Sequence, residues 1–160
     1  VVNSFSKYFG MTGWRLGWLV VPEDAIHNVE KLAQNLFICP SSIAQRAAIA
    51  AFSDESREIM EQQRQAFEVR RNLMVEGLRK LGFGVPEIPG GAFYVYAKLP
   101  DAFSDDCEAF CLALLETHGV AITPGTDFGR FEAHRHVRIS YANDINALQE
   151  ALKRIELALS

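Results

Sequence analysis

Ser4-Phe5-Ser6-Lys7-Tyr8-Phe9-Gly10-Met11-Thr12-Gly13-Trp14-Arg15-Leu16-Gly17 is the stretch on which the reading of this chain turns. It separates two apolar runs. Before it, Val1-Val2-Asn3 leads a short buried strand over residues 1–6, because β-branched residues come first and Ser, Lys and Gly follow. After it, Arg15-Leu16-Gly17-Trp18-Leu19-Val20-Val21 is nearly continuous in apolar character, as expected of a strand covered on both faces. A loop at strand ends is where α/β sheets tend to hold ligands. This one gathers two serine hydroxyls, the amine of Lys7 and the guanidinium of Arg15 among Gly10, Gly13 and Gly17. Hydroxyls and a planar guanidinium can donate to an anion such as phosphate, glycines let backbone come close, and a primary amine adds a covalent option. The order of a nucleotide-cradling loop, glycines before lysine, is absent, since Lys7 precedes the glycines.

Working outward, Pro22 stops the second strand and opens a helix with Glu23 and Asp24 in its first turn and Ile26, Val29, Ala33 and Leu36 on one stripe. A second helix starts near Ser41 or Ser42 and carries the small face Ala44, Ala47, Ala48, Ala51. From Ser53-Asp54-Glu55 a helical pattern runs without a breaker to Leu81-Gly82, with Ile59, Ala66, Val69, Leu73, Met74, Leu78 and Leu81 on its apolar side. Such a length suits a helix bridging two domains. A strand over residues 92–99, a helix from about Ser104 to His118 ended by Gly119, and a short strand over residues 120–123 follow. Val137-Arg138-Ile139-Ser140-Tyr141 is the last strand, and a helix with Ile145, Leu148, Leu152, Ile155 and Leu159 on one stripe ends the chain. Gly84 to Gly91 and Pro124 to His136 read as connections. Alternating helices and strands give the class α/β or α+β.

Composition bounds the function. The 160 residues are 49% apolar and 22% charged, which fits a folded globular chain and excludes the disordered and low-complexity classes. Sixteen basic against 20 acidic residues give a net charge of −4, which argues against a nucleic-acid partner. No apolar run reaches the length of a membrane span and no secretory leader opens the chain, so the expectation is a cytoplasmic protein without a membrane partner. Cys39, Cys107 and Cys111 are odd in number and lack zinc-type spacing, as expected of reduced thiols. His27, His118, His134 and His136 have no metal-ligand spacing with carboxylates, and no metal is assigned. Val1-Val2 looks like the middle of a strand, so a truncated chain is expected.

The quoted string, Ser4-Phe5-Ser6-Lys7 followed by Gly10-Met11, Gly13 and Arg15-Leu16-Gly17, resembles the pyridoxal-phosphate attachment region of class I/II aminotransferases. These have the aspartate aminotransferase fold, the pyridoxal-phosphate-dependent transferase fold type I. The resemblance implies that Lys7 is the catalytic lysine, forming an imine with the aldehyde of pyridoxal 5′-phosphate, and that Ser4 and Arg15 hold the cofactor phosphate. Ser6 does the same in some relatives. The family's chemistry has the freed lysine amine move a proton at the substrate Cα, and an amine can do so only when unprotonated. A nearby guanidinium and exclusion of water both lower a lysine's affinity for its proton.

Near the other end, strand alternation presents Arg138 and Ser140 on one face and Val137, Ile139 and Tyr141 on the other. Arg138-Ile139-Ser140-Tyr141-Ala142 resembles the aminotransferase segment whose arginine grips the substrate α-carboxylate through two parallel hydrogen bonds. That role is carried onto Arg138. Pro89-Gly90-Gly91-Ala92-Phe93-Tyr94 is similar to the glycine turn entering the family's small domain, and Thr123-Pro124-Gly125 with Phe128-Gly129 to its loop over the substrate. Both are read as shape.

The resemblance covers essentially the whole chain and the C-terminal part of the family's. It implies that residues 1–52 are the end of the large cofactor domain and residues 53–160 the α+β small C-terminal domain. The implied activity is transfer of an amino group between an amino acid and a 2-oxo acid, in a homodimer when full length. Residues that stack on the cofactor ring and pair with its nitrogen are not in this sequence, so the 160-residue piece is expected to be inactive alone, with its first two strands uncovered. Two other readings share the lysine loop: a carbon–sulfur β-lyase, and an aminotransferase-like ligand-sensing domain of a transcription regulator.

Overall fold

A computed structural model of the chain describes residues 1–103 and 106–160. Two compact units are present, Val1–Arg64 and Gln65–Ser160. In the first, strands β1 (Val2–Ser4) and β2 (Gly17–Leu19) form an antiparallel pair in the register Val2↔Leu19, Asn3↔Trp18, Ser4↔Gly17. The pairing depends on Gly17, where a Cβ would lie 2.6 Å from the carbonyl oxygen of Asn3. Both strands are shorter than their apolar runs, and they are not buried as the sequence suggests: Val1, Val2, Leu19 and Val20 are exposed. Burial is instead concentrated in the loop between the strands. Phe5 and Met11 join Ala48 in a small core, with Phe9, Leu16 and Trp18 packed against it.

Helix α1 (Glu23–Leu36) follows Pro22 directly, and its first-turn acids face the positive end of the helix dipole. None of its residues is buried, although Ile26, Leu32 and Leu36 are large and apolar. Helix α2 (Ser42–Ala50) is capped by Ser41, whose hydroxyl accepts from the amide of Ala44, and it buries Ala44 and Ala48 as its small-residue face requires. Helix α3 (Asp54–Lys80) runs 27 residues, or about 40 Å at 1.5 Å per residue, and contributes to both units. Ser53 caps it by accepting from the Ser56 amide at 3.2 Å. Met74, Val75 and Leu78 are its buried residues in the second unit, whereas Ile59 and Val69, expected on the apolar side, are exposed. The breadth of the assumed stripe explains the error, since Val69 falls outside the narrower face that meets the core.

The second unit is built on an antiparallel sheet of strands β3 (Tyr94–Lys98), β4 (Thr123–Pro124) and β5 (His136–Ser140), in the order β3-β5-β4. Alternation sends Val95, Ala97, Val137 and Ile139 into a core with Leu78 of α3, Leu114 of α4 (Cys107–His118) and Ile155 of α5 (Ile145–Leu159). Asp106 and Asp144 cap α4 and α5, each accepting from two amides, and Gly119 ends α4 in the left-handed region at φ 65°. At Gly77 a Cβ would come within 2.5 Å of the Leu152 side chain, so the glycine lets α3 and α5 approach closely. The expected start of α4 at Ser104 lies outside the described residues. Of the strand expected over residues 120–123 only Thr123 pairs, in a two-residue strand completed by Pro124, because among the described residues the segment before it meets no partner strand. The connection from Pro124 to His136 contains two short 3₁₀ turns, Gly125–Asp127 and Ala133–Arg135.

Candidate active site

The loop carrying Lys7 is shaped from its buried residues outward. The amide of Phe5 donates to the carbonyl of Leu16 and that of Met11 to the carbonyl of Phe5, both at 3.0 Å, which fixes the ends of the loop while the two side chains enter the small core. A tight turn then brings the Gly10 amide to the Lys7 carbonyl at 2.9 Å, with Gly10 at φ 65°, where a side chain is disfavoured. Because the apolar residues point inward, the polar ones are displayed: Ser4, Lys7 and Arg15 are exposed and Ser6 is half-buried.

Ser4, Ser6, Thr12 and Arg15 are linked through side-chain and backbone hydrogen bonds. The Ser4 hydroxyl donates to the Ser6 hydroxyl at 2.9 Å and accepts from the Ser6 amide at 3.0 Å. The Thr12 hydroxyl donates to the Ser6 carbonyl, and the Thr12 carbonyl accepts from Nη1 of Arg15 at 3.1 Å. Arg15 is itself in the left-handed region at φ 53°. Among the described residues that is the one bond of the Arg15 side chain, which leaves most of the guanidinium donors for another acceptor. Thr12 is the residue that sequence reading passed over. Its place between Gly10 and Gly13 gives no sign that it joins the serines to the arginine.

Arg138 belongs to the second unit, where β5 sets it opposite Tyr96 of β3 and Thr123 of β4. It is half-buried, and two aromatic rings lie over its guanidinium, Tyr94 at 4.1 Å and Phe128 at 4.0 Å. Among the described residues, none is joined to the Arg138 side chain by a hydrogen bond or an ion pair. Each ring is delivered by a built turn. Tyr141, buried beneath, donates from its hydroxyl to the carbonyl of Ala92 at 3.1 Å and lies 3.3 Å from that of Gly91, tying down the glycine turn that enters β3. Burial raises the pKa of that phenol. On the other side, Gly125 has no space for a Cβ, which would collide with the Ala133 carbonyl and approach that of His136 to 2.7 Å. The Phe128 amide closes the turn on the Gly125 carbonyl at 2.9 Å, and the Thr126 hydroxyl is anchored to Glu108 of α4 at 2.7 Å. The two segments read from sequence as shape alone thus supply the rings beside the arginine. The signal was available only through register: Tyr94 pairs with Ser140, which makes it the diagonal neighbour of Arg138.

Elsewhere the chemistry is quiet. His136 stacks on Tyr96 with ring centroids 5.0 Å apart, and no group of three or more His, Cys, Asp and Glu side chains among the described residues could hold a metal ion. Cys107 and Cys111 are buried, and burial pushes the Cys111 thiol up to about 12. A cavity of about 700 Å³ between α5 and the segment after α4 touches neither Lys7 nor Arg138. Among the described residues, no helix is long and apolar enough to cross a membrane.

Residues 1–155 match the family model described as aminotransferase class I and II. Valine–pyruvate aminotransferase of Mycobacterium tuberculosis is 45% identical over 155 residues, covering 97% of this chain and 40% of the relative. Aspartate aminotransferase of Geobacillus stearothermophilus is 41% identical over 160 residues, covering 97% and 39%. Among solved structures, an aminotransferase from Mycobacterium tuberculosis superposes with a TM-score of 0.93 at 44% identity, over 99% of this chain and 41% of that one. A mutant of Thermus thermophilus aspartate aminotransferase gives 0.88 at 38% identity, over 98% and 42%. The chain therefore spans about two fifths of the length of the relatives it matches.

Proposed function

Since the chain belongs to the class I and II aminotransferases and has their fold type I architecture, we propose that it is part of a pyridoxal 5′-phosphate enzyme that moves an amino group between an amino acid and a 2-oxo acid. The observation that carries this reading is the connected loop in which Ser4, Ser6, Thr12 and Arg15 are hydrogen-bonded around the segment that bears Lys7. Its donor set fits the cofactor. Two hydroxyls and a guanidinium suit a phosphate, and an exposed primary amine suits an aldehyde. The relatives reported above are named as aminotransferases, which favours transamination over β-elimination or ligand sensing.

In this proposal the Ser4 and Ser6 hydroxyls and the Arg15 guanidinium would hold the phosphate, and Lys7 Nζ would be the amine that bonds to the cofactor's aldehyde carbon, whose oxygen leaves as water. When bound, the cofactor supplies an electron-withdrawing ring that accepts negative charge developing at the substrate Cα. Lys7 Nζ, as the neutral amine, would take the proton from that Cα. Arg138 receives the substrate α-carboxylate in two parallel hydrogen bonds, which fixes the plane of the carboxylate and hence the direction of the Cα–H bond. A lysine there would supply charge without that plane.

The rest of the reading concerns the longer protein. Residues 1–52 are the end of its cofactor domain and residues 53–160 its small domain. It works as a cytoplasmic homodimer in amino-acid biosynthesis, and the 160-residue stretch alone does not turn over. The exposed apolar side chains of β1, β2 and α1 support that last point, because they describe a core face without its other half. Borohydride reduction of the full-length protein in the presence of pyridoxal 5′-phosphate, followed by peptide mapping, is expected to place the label on Lys7. Lys7→Ala is expected to abolish amino transfer from any donor. A label on another lysine, or turnover retained by Lys7→Ala, overturns the proposal.

A further inference from the structure

Arg138 combines three properties that rarely occur together. It is half-buried, it has no hydrogen-bonded or ion-paired side chain among the described residues, and two aromatic rings lie about 4 Å from its guanidinium carbon. A guanidinium in that degree of burial is ordinarily held by a carboxylate. A carboxylate would fix its orientation and would also occupy the donors a ligand needs. Aromatic faces fix the orientation differently. They attract the cation through their quadrupole and stack on its plane, while the N–H donors, which lie in that plane and point outward from its edge, stay available.

Resting on the reading of Arg138 as the α-carboxylate site, we infer that Tyr94 and Phe128 are positioning residues that hold the guanidinium flat and leave its donor edge open for the incoming carboxylate. The structure invests in both rings. Tyr94 opens β3, in register with Ser140, and its ring also packs on Phe93 with centroids 4.1 Å apart. Phe128 remains 46% exposed despite its contact with Arg138, so its place is not explained by the hydrophobic core, of which it is not a member. The turn that delivers it is fixed at three points: the glycine at 125 that no larger residue can replace, the 2.9 Å amide bond to that glycine, and the Thr126 hydroxyl on Glu108. A loop residue held so firmly over one cation acts on that cation.

Because amino acids and 2-oxo acids share the α-carboxylate and little else at that end, loss of a ring should weaken both substrates together. The test uses full-length holoenzyme and steady-state kinetics with one amino donor and one 2-oxo acid acceptor. Phe128→Leu and Tyr94→Leu are each expected to raise KM for both substrates about 3- to 30-fold, the range set by single cation–π contacts. The effect on kcat should be smaller. Phe128→Tyr and Tyr94→Phe, which keep a ring over the guanidinium, should recover most of the loss. In an Arg138→Gln background, Phe128→Leu should have no further effect on KM. A KM unchanged in both leucine variants, with Arg138→Gln still raising it, overturns the positioning role alone. An Arg138→Gln enzyme with unchanged KM overturns the carboxylate reading beneath it. Leucine variants that lower only the amount of active enzyme, at unchanged KM, assign the rings to folding and also overturn the inference.

Discussion

The two units reach order by different routes. In Gln65–Ser160 the side chains of Leu78, Val95, Val137 and Ile155 are fully buried, and the sheet, α3, α4 and α5 share one continuous core. In Val1–Arg64 the core is a knot of Phe5, Met11 and Ala48 with their aromatic neighbours, while α1 buries nothing and Leu36 is 76% exposed. Yet the loop that carries Lys7 is anchored on that small core, and its shape is set by hydrogen bonds among Ser4, Ser6, Thr12 and Arg15. The contrast separates two jobs that packing and hydrogen bonding perform. Burial of apolar area supplies most of the free energy of a fold, whereas a functional loop needs local directionality, which amides, hydroxyls and one aromatic anchor can provide within some fifteen residues.

Substitutions can break or sharpen this contrast. Leu78→Ala should cost about 2–5 kcal/mol in denaturant unfolding, because the cavity opens in a core that cannot close around it. A cost under about 1 kcal/mol would mean the second unit is packed as loosely as the first. Tyr141→Phe should cost about 1 kcal/mol, since the Gly91 and Ala92 carbonyls lose a buried donor. It should also increase hydrogen exchange at the amide of residue 141, which donates to the Phe93 carbonyl at 2.9 Å in the same corner.

The next difference is in the thiols. Cys39 is exposed and should alkylate at once, while Cys107 and Cys111 should react only on opening of the second unit. Burial raises the Cys111 thiol from its ordinary value of 9.0 to about 12. The native state therefore favours the protonated thiol. Its contribution is complete below the unfolded value and is lost as pH rises toward 12, so stability should fall over that window and Cys111→Ala should flatten the fall. The smallest effect belongs to α1. Leu32→Ala should change the stability of the 160-residue chain by no more than about 0.5 kcal/mol, because that side chain is already in water. A larger loss would show that the helix is covered after all.

How much of this was legible in the sequence follows the same division. Elements with their own punctuation were read closely: Pro22 before α1, Ser41 before α2, and Gly119 after α4 sit where the caps are found. The Arg138 and Ser140 face was legible because alternation on a strand is a local rule. Elements that depend on partners were misjudged. Val1, Val2 and Leu19 read as buried because β-branched and apolar residues usually are, but burial is a property of what packs on the faces of a strand, and among the described residues these side chains stay exposed. Residues 120–122 read as strand for the same reason and found no neighbour to pair with. At the site, the residue types of the Lys7 loop were visible one by one, whereas Thr12 as a link and Tyr94 and Phe128 as companions of Arg138 became visible only through register and turn geometry.

Arg15 holds a backbone shape that suits glycine, at φ 53° and ψ 51°. For a residue with a Cβ that conformation costs about 1–2 kcal/mol. Glycine would relax the main chain there and erase the charge in the same stroke. A survey of this loop for tolerated changes would thus find one position at which calmer backbone and the side chain proposed to hold the phosphate pull against each other, with ruggedness and chemistry as rival outcomes of a single codon.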